Sequence, residues 1–151
     1  MMKSRKGFTL VELIITIAVL AVIAAVAGVN WYAYTLNRNL KLAARDIASD
    51  FFVYKERAVS ENTTYQITFD VAGRSYTIQP GTPKAITKHI SSFGPDIEIL
   101  NASFGGGHTV HFQTRGTISP FGNIKLKNSR ESNATIKVNI TGKTYVKFDI
   151  K

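Results

Sequence analysis

The sequence predicts an α+β chain, with one long N-terminal helix leading into an antiparallel β domain. Three observations carry that prediction. Residues 13–29, LIITIAVLAVIAAVAGV, hold no charged side chain and one strongly polar one, Thr16. Beyond this run, apolar residues recur in three- and four-residue steps up to about Ser60, the period of a helix. After Asn62 the repeat shortens to two, with glycine, proline and asparagine at the breaks, as in strands joined by turns. Helix and strands fall in separate stretches of the chain, so a sheet packed on a helix is expected.

The apolar run from Phe8 to Val29 is 22 residues long, enough to cross a bilayer core of ~30 Å at ~1.5 Å per residue. Lys3, Arg5 and Lys6 precede it, which holds the N-terminus in the cytoplasm and sends the rest across. A secretory signal would end its apolar region at a small-residue cleavage site. Here the small residues from Ala24 to Gly28 run straight into the next helical pattern without a turn signal. Glu12 is the only charged residue between Phe8 and Asn37. A carboxylate at mid-membrane costs about 2.5–3.5 kcal/mol on insertion scales, and less near the edge, so it usually marks a function and a partner.

No proline occurs before Pro80, so the helix can continue past the apolar run. Leu36, Leu40, Ala43, Ile47, Phe51, Tyr54 and Ala58 form one apolar stripe, with Arg38, Lys41, Arg45, Asp46, Asp50 and Glu56 mostly on the other faces. Trp31, Tyr32 and Tyr34 lie where the helix would leave the hydrocarbon, as an interfacial belt or as simple packing residues. A helix from Phe8 to about Ser60 would be ~80 Å long. Tyr65, Ile67 and Phe69, then Tyr76 and Ile78 across Ala72-Gly73-Arg74, predict a hairpin. Pro80, Gly81 and Pro83 begin a long connection to about Asp96, with His89 in a loop. Further strands are expected at Ile97–Ala102, Thr109–Thr114, Asn123–Lys127, Thr135–Thr141 and Thr144–Ile150, with one sheet on the helix.

Composition narrows the chemistry. The chain has 151 residues, 19 Lys and Arg against 10 Asp and Glu, a formal net charge of +9 and no cysteine. Losing Lys3, Arg5 and Lys6 would leave +6. Without thiols, neither a disulfide framework nor a thiolate site is possible. His108 and His111 are three apart in one strand and so point to opposite faces. Asp96 and Glu98 read as a solvated carboxylate pair, with no acid/base partner in view. Gly105-Gly106-Gly107 lacks the Lys-Ser/Thr and the following helix of a phosphate loop. No catalytic residue, metal site or cofactor is assigned, and an enzyme is not expected.

With these residues in view, KGFTLVELIITIAVLAVIAAVA resembles the leader and first helix of type IV pilins and type II secretion pseudopilins, matching at Lys6, Gly7, Phe8, Thr9, Leu10, Glu12 and Leu13. The resemblance implies cleavage by a prepilin peptidase between Gly7 and Phe8 and methylation of the new Phe8 amino group. It also gives Glu12 a partner, the α-ammonium of Phe8 on a neighbouring subunit. Two charges that are each costly in lipid become less so when paired. The implied division is residues 1–7 as leader, 8–29 as transmembrane and assembly helix, 30–61 as its amphipathic continuation, and 62–151 as the β domain. The implied location is the inner membrane, single-pass, with the C-terminal domain outside the cytoplasm. Implied partners are other pilin or pseudopilin subunits, the peptidase, the inner-membrane assembly platform and inner-membrane lipid. Many major pilins carry a proline in the second half of the anchor, where this chain reads Ala27-Gly28-Val29.

The later sequence is similar to H-type minor pseudopilins and FimT-like minor pilins, through LAARDIASDFFVYKERAVSEN, TYQITFD and VHFQTRGTISPFGNIKL…ATIKVNITGKTYV. Phe112, Gly116, Gly122, Ile124, Leu126, Val138 and Gly142 match, while Lys143 stands where arginine is usual. A minor, tip-proximal subunit is therefore expected, with a major filament-forming pilin as the alternative. A third reading is a DNA-binding tip subunit. Lys125, Lys127, Arg130, Lys143 and Lys147, with Tyr145 between the last two, could hold a phosphate backbone while a base stacks. The plainer reading of the same residues is a charged face that guards edge strands.

Overall fold

The structure, a computed structural model, describes residues 7–80 and 85–151, with the side chains of residues 26–30 not included. The basic head at Lys3, Arg5 and Lys6, and Gly81 and Pro83 of the long connection, lie outside the described residues. The chain divides into two compact units at Thr35 and Leu36, and helix α1, Leu10–Ser60, contributes to both.

In the first unit the helix opens on a local cap. The Glu12 amide donates to the Thr9 hydroxyl at 3.2 Å, and the Leu13 amide to the Thr9 carbonyl at 3.2 Å. Thr9-x-x-Glu12 is the spacing of a capping box, so the sequence itself selects this start. Along the apolar stretch the Thr16 hydroxyl donates to the Glu12 carbonyl at 2.7 Å, which satisfies that polar group within its own helix. The backbone stays helical through Ala27-Gly28-Val29.

In the second unit the stripe read from the sequence is the buried face. Leu36, Leu40, Ala43, Ile47, Phe51, Tyr54 and Ala58 are all buried, and Ala44 widens the face by one position. The helix stops because Asn62 turns into the left-handed region, at φ 48°. The Thr63 amide then reaches the Ala58 carbonyl at 3.2 Å and the Asn62 amide the Val59 carbonyl at 3.4 Å. This pair of bonds is a Schellman close, and asparagine is among the few non-glycine residues that accept the conformation.

Among the described residues nine strands follow: β1 Tyr65–Asp70, β2 Ser75–Pro80, β3 Ile86–His89, β4 Glu98–Phe104, β5 Thr109–Phe112, β6 Ile118–Ser119, β7 Gly122–Lys127, β8 Asn133–Val138 and β9 Thr144–Asp149. They form two antiparallel sheets rather than the single one expected, in the orders β3-β2-β1-β5-β6 and β4-β7-β8-β9. The reason is non-local pairing: β5 returns to β1, with Ile67 opposite Val110, while β4 pairs with β7. His89 is not in a loop; it ends β3, opposite Ser75, and a 3-10 turn at Ile90–Ser92 follows. Two strands stop earlier than their composition suggests. β8 ends at Val138 because the Asn139 side chain accepts the Lys143 amide at 2.8 Å and the Thr141 hydroxyl at 2.8 Å. β5 ends at Phe112 because Gln113 to Thr117 closes a turn with Gly116 at φ 78°.

Both sheets share one core with α1. Phe51, fully buried, lies 5.4 Å from the Phe112 ring and 6.4 Å from Phe69 in the first sheet, and 6.2 Å from Phe104 in the second. One helix side chain thus contacts both layers, with ring spacings in the range of favourable aromatic pairs.

Candidate functional site

The residues of the predicted leader junction are open to solvent. Phe8 is 80% exposed, and among the described residues no atom beyond the chain neighbours stands within 4 Å of where a Cβ on Gly7 would lie. Both precede the first helical residue and are exposed, so the Gly7–Phe8 peptide lies outside the helix on accessible backbone. Glu12 is exposed in the first turn of α1, where a carboxylate offsets the positive end of the helix dipole. A free ammonium on Phe8 would sit beside that same positive end, which makes a nearby carboxylate the natural counter-charge.

From Leu10 to Ile23 the large apolar side chains are between 53% and 73% exposed on every face of the helix. A helix apolar all round is one that another apolar phase or other helices must cover. Among the described residues no helix is long and apolar enough to cross a membrane; the run read from the sequence includes residues 26–30, whose side chains lie outside that description.

The second set of candidate residues lies on the outer face of the four-stranded sheet. The register aligns Lys125 with Thr135 and Lys147 in one row, and Asn123 with Lys137 and Tyr145 in the next. The Lys143 ammonium stands 5.3 Å from the Tyr145 ring centroid, a cation–π contact. Lys137, which the sequence reading left out of its candidate set, belongs to this face. Its signal was strand alternation, once β8 is known to pair with both β7 and β9. Lys127 and Arg130 do not join these rows: Lys127 is ion-paired and Arg130 lies in the following turn. Lys127 forms an ion pair with Glu131 at 2.5 Å, and this hydrogen bond holds the Glu131 carboxyl below its usual range. Arg130 sits in the turn after β7, its Nε donating to the Lys151 carbonyl at 3.4 Å. Beside the sheet's end, Phe121 is 66% exposed and shares an open groove with Gly105, Asn123, Lys137 and Tyr145.

The remaining candidates hold structural positions. His108 Nδ1 lies 2.6 Å from the Ala102 carbonyl, while His111 is exposed. Glu98 accepts from Arg74 at 2.8 Å, and Asp96 from the Ser129 hydroxyl at 3.3 Å. Among the described residues no group of His, Asp and Glu could hold a metal ion.

One polar cluster was missed from the sequence. Asp50, only 8% exposed, accepts from the Tyr76 hydroxyl at 2.6 Å and from the Lys88 ammonium at 2.7 Å, and Asp46 accepts from Lys88 at 3.0 Å. Burial, then the hydrogen bond to Asp50, pushes the Tyr76 hydroxyl far up. Burial alone would lower the Lys88 ammonium, but its hydrogen bonds to Asp50 and Asp46 outweigh that and raise it. The Asp46, Asp50 pair at i, i+4 beside the apolar stripe was the available hint; the partners come from β2 and β3.

Comparison with known proteins rests first on the N-terminus. Residues 2–28 match the family model of the prokaryotic N-terminal methylation motif. That match lies in the N-terminal segment alone. Two fimbrial proteins of Pseudomonas aeruginosa are each 28% identical to this chain over 90 residues, 56% of this chain and 58% of theirs. The chain thus matches little more than half the length of these curated relatives. The fold is similar to that of the minor pseudopilin EpsH of the Vibrio cholerae type 2 secretion system, with a TM-score of 0.57 over 73% of this chain and 97% of that one, at 9% identity. A second EpsH structure gives 0.53 over 73% and 94%, at 10% identity. That likeness is one of fold: a long helix packed on antiparallel sheets.

Proposed function

We propose that this chain is a minor, tip-proximal subunit of a type II secretion pseudopilus or a type IV pilus, cut after Gly7 and assembled through its N-terminal helix. The observation that carries the reading is the helix from Leu10 to Ile23, apolar and exposed on every face, with Glu12 as its one carboxylate. Such a surface needs cover, from inner-membrane lipid before assembly and from neighbouring pilin helices afterwards. Residues 1–7 are then leader, 8–29 anchor, 30–61 the helix of the soluble part and 62–151 the β domain. Prepilin peptidase acts at Gly7 and Phe8, and the inner-membrane assembly platform extracts the cut subunit. On this reading Glu12 pairs with the methylated α-ammonium of Phe8 on the next subunit and sets its register.

The likeness in fold to a minor pseudopilin supports the minor assignment, as does the lack of proline at Ala27-Gly28-Val29. The match to fimbrial proteins favours the second reading, a major filament-forming pilin. Copy number separates the two: in purified filaments this chain should be scarce beside another pilin, and filaments built almost wholly of it would overturn the minor assignment. Glu12→Ala should leave cleavage and folding intact while lowering incorporation into filaments, and normal incorporation would remove the charge-pairing argument. The row of Lys125, Lys147, Lys137 and Tyr145 favours a third reading, sequence-independent DNA binding at the tip. Its affinity should fall steeply with salt as counterion release weakens. It is rejected if the full chain in detergent shows no DNA binding at low salt.

A further inference from the structure

A second surface, on the other side of β9 from the basic row, is built like a peptide groove. β9 is the end strand of the sheet order β4-β7-β8-β9. Its pairing with β8 runs without a bulge from Thr144 to Asp149, and no proline interrupts it. The Asn139 amide donates to the Lys143 carbonyl at 3.2 Å, so the antiparallel alternation points the backbone groups of Tyr145, Lys147 and Asp149 at β8. It turns those of Thr144, Val146 and Phe148 outward, to an edge that no strand among the described residues pairs.

Near the start of that edge α1 forms the opposite wall of a groove, with Arg45, Ala48, Ser49, Phe52 and Lys55 facing Thr141 to Thr144. Phe52 is 61% exposed, in sharp contrast to the buried Phe51 before it. The Arg45 guanidinium lies 6.0 Å from the Phe148 ring and, among the described residues, has no carboxylate within ion-pair distance. Lys55 is partly neutralised by Glu56 at 3.2 Å. The Thr144 hydroxyl is buried with no hydrogen-bond partner.

We propose that this groove takes an extended, acidic segment of a different protein, added to the sheet as a further strand along β9. An unpaired strand edge beside a helix is the geometry used for strand addition, where main-chain bonds give affinity and alternate side chains give specificity. The charges select the occupant. Lys147, from the strand's outer face, and Arg45, from the helix, flank the edge, so a second copy of this chain would bring like charges together, which is destabilising. The net charge of +9 adds to that repulsion. An acidic strand meets the same residues with complementary sign. The proposal stands whether or not the chain is a filament subunit.

The test uses the full chain in detergent and a short end-capped peptide alternating Glu and Val. Anisotropy should show binding that is lost when Lys replaces Glu, and lost again when alternate peptide amides are N-methylated. Arg45→Ala and Lys147→Ala should each weaken it about fivefold. Hydrogen exchange should slow at the Thr144, Val146 and Phe148 amides when the peptide is bound. Equal binding by the N-methylated or the Lys-containing peptide would overturn the proposal. So would equal slowing of the same amides by duplex DNA alone, which would make the groove a general anion site.

Discussion

Replacing Phe51 by alanine removes the one helix ring that touches aromatic side chains of both sheets. The ring is fully buried and lies 5.4 Å from Phe112, 6.2 Å from Phe104 and 6.4 Å from Phe69. Truncating a buried phenylalanine costs about 3–5 kcal/mol, because transfer energy is lost and the surrounding rings close only partly over the cavity. The upper half of that range is expected here, since three aromatic contacts go at once and each such pair is worth about 0.5–1.5 kcal/mol beyond its area. At about 4 °C per kcal/mol for a domain of this size, the melting temperature should fall by about 16–20 °C. The control is the next residue: Phe52 is 61% exposed, so Phe52→Ala should change stability by less than about 0.5 kcal/mol. Thermal unfolding of the full chain in detergent, followed by near-ultraviolet circular dichroism, reads both. Equal shifts for the two variants would refute the helix register and the shared core.

Three further outcomes follow from the same structure. Asn62 closes α1 at positive φ, so Asn62→Gly should match or slightly exceed the parent in stability while Asn62→Ala loses about 1 kcal/mol, measured by urea unfolding. Tyr76 and Lys88 both have folded-state values raised above their ordinary 10.0 and 10.5. Their contribution is therefore full below those ordinary values and is lost as pH rises towards the folded ones. Stability should decline as pH rises above about 10 and continue to fall towards the raised folded-state values, and Tyr76→Phe should flatten that decline. Lys88→Met strips the buried Asp50 of its cation, and with Lys88 about a third exposed the loss should be about 1–2 kcal/mol at neutral pH.

The residues differ in how far they could be read without coordinates. The stripe from Leu36 to Ala58 was legible but for Ala44, because a helical face depends only on spacing along one segment. The first hairpin was legible for the same reason, its strands being neighbours across Ala72-Gly73-Arg74. The division into two sheets was not, because it depends on β5 finding β1 and β4 finding β7 across long stretches of chain. Alternation placed Lys125, Tyr145 and Lys147 on strand faces but could not show that Lys127 is held by Glu131, which only the turn after β7 brings back. The Asp46, Asp50, Tyr76 and Lys88 cluster draws on three elements and has no local signature. By contrast, the Thr9-x-x-Glu12 capping box was present in the sequence and marks the helix start without any tertiary information. The Glu12 carboxylate also lies in the first turn, at the positive end of the helix dipole, so the assembly phenotype of Glu12→Ala must be read together with an unchanged helix content.

The central claim is that Gly7 and Phe8 form a processing junction ahead of an assembly helix. N-terminal sequencing and intact mass of the chain, recovered from membranes of cells with an active prepilin peptidase, address it directly. The account predicts a mature chain that begins at Phe8 and carries a methyl group on its α-amine. A chain that still begins at Met1 in those cells would contradict it.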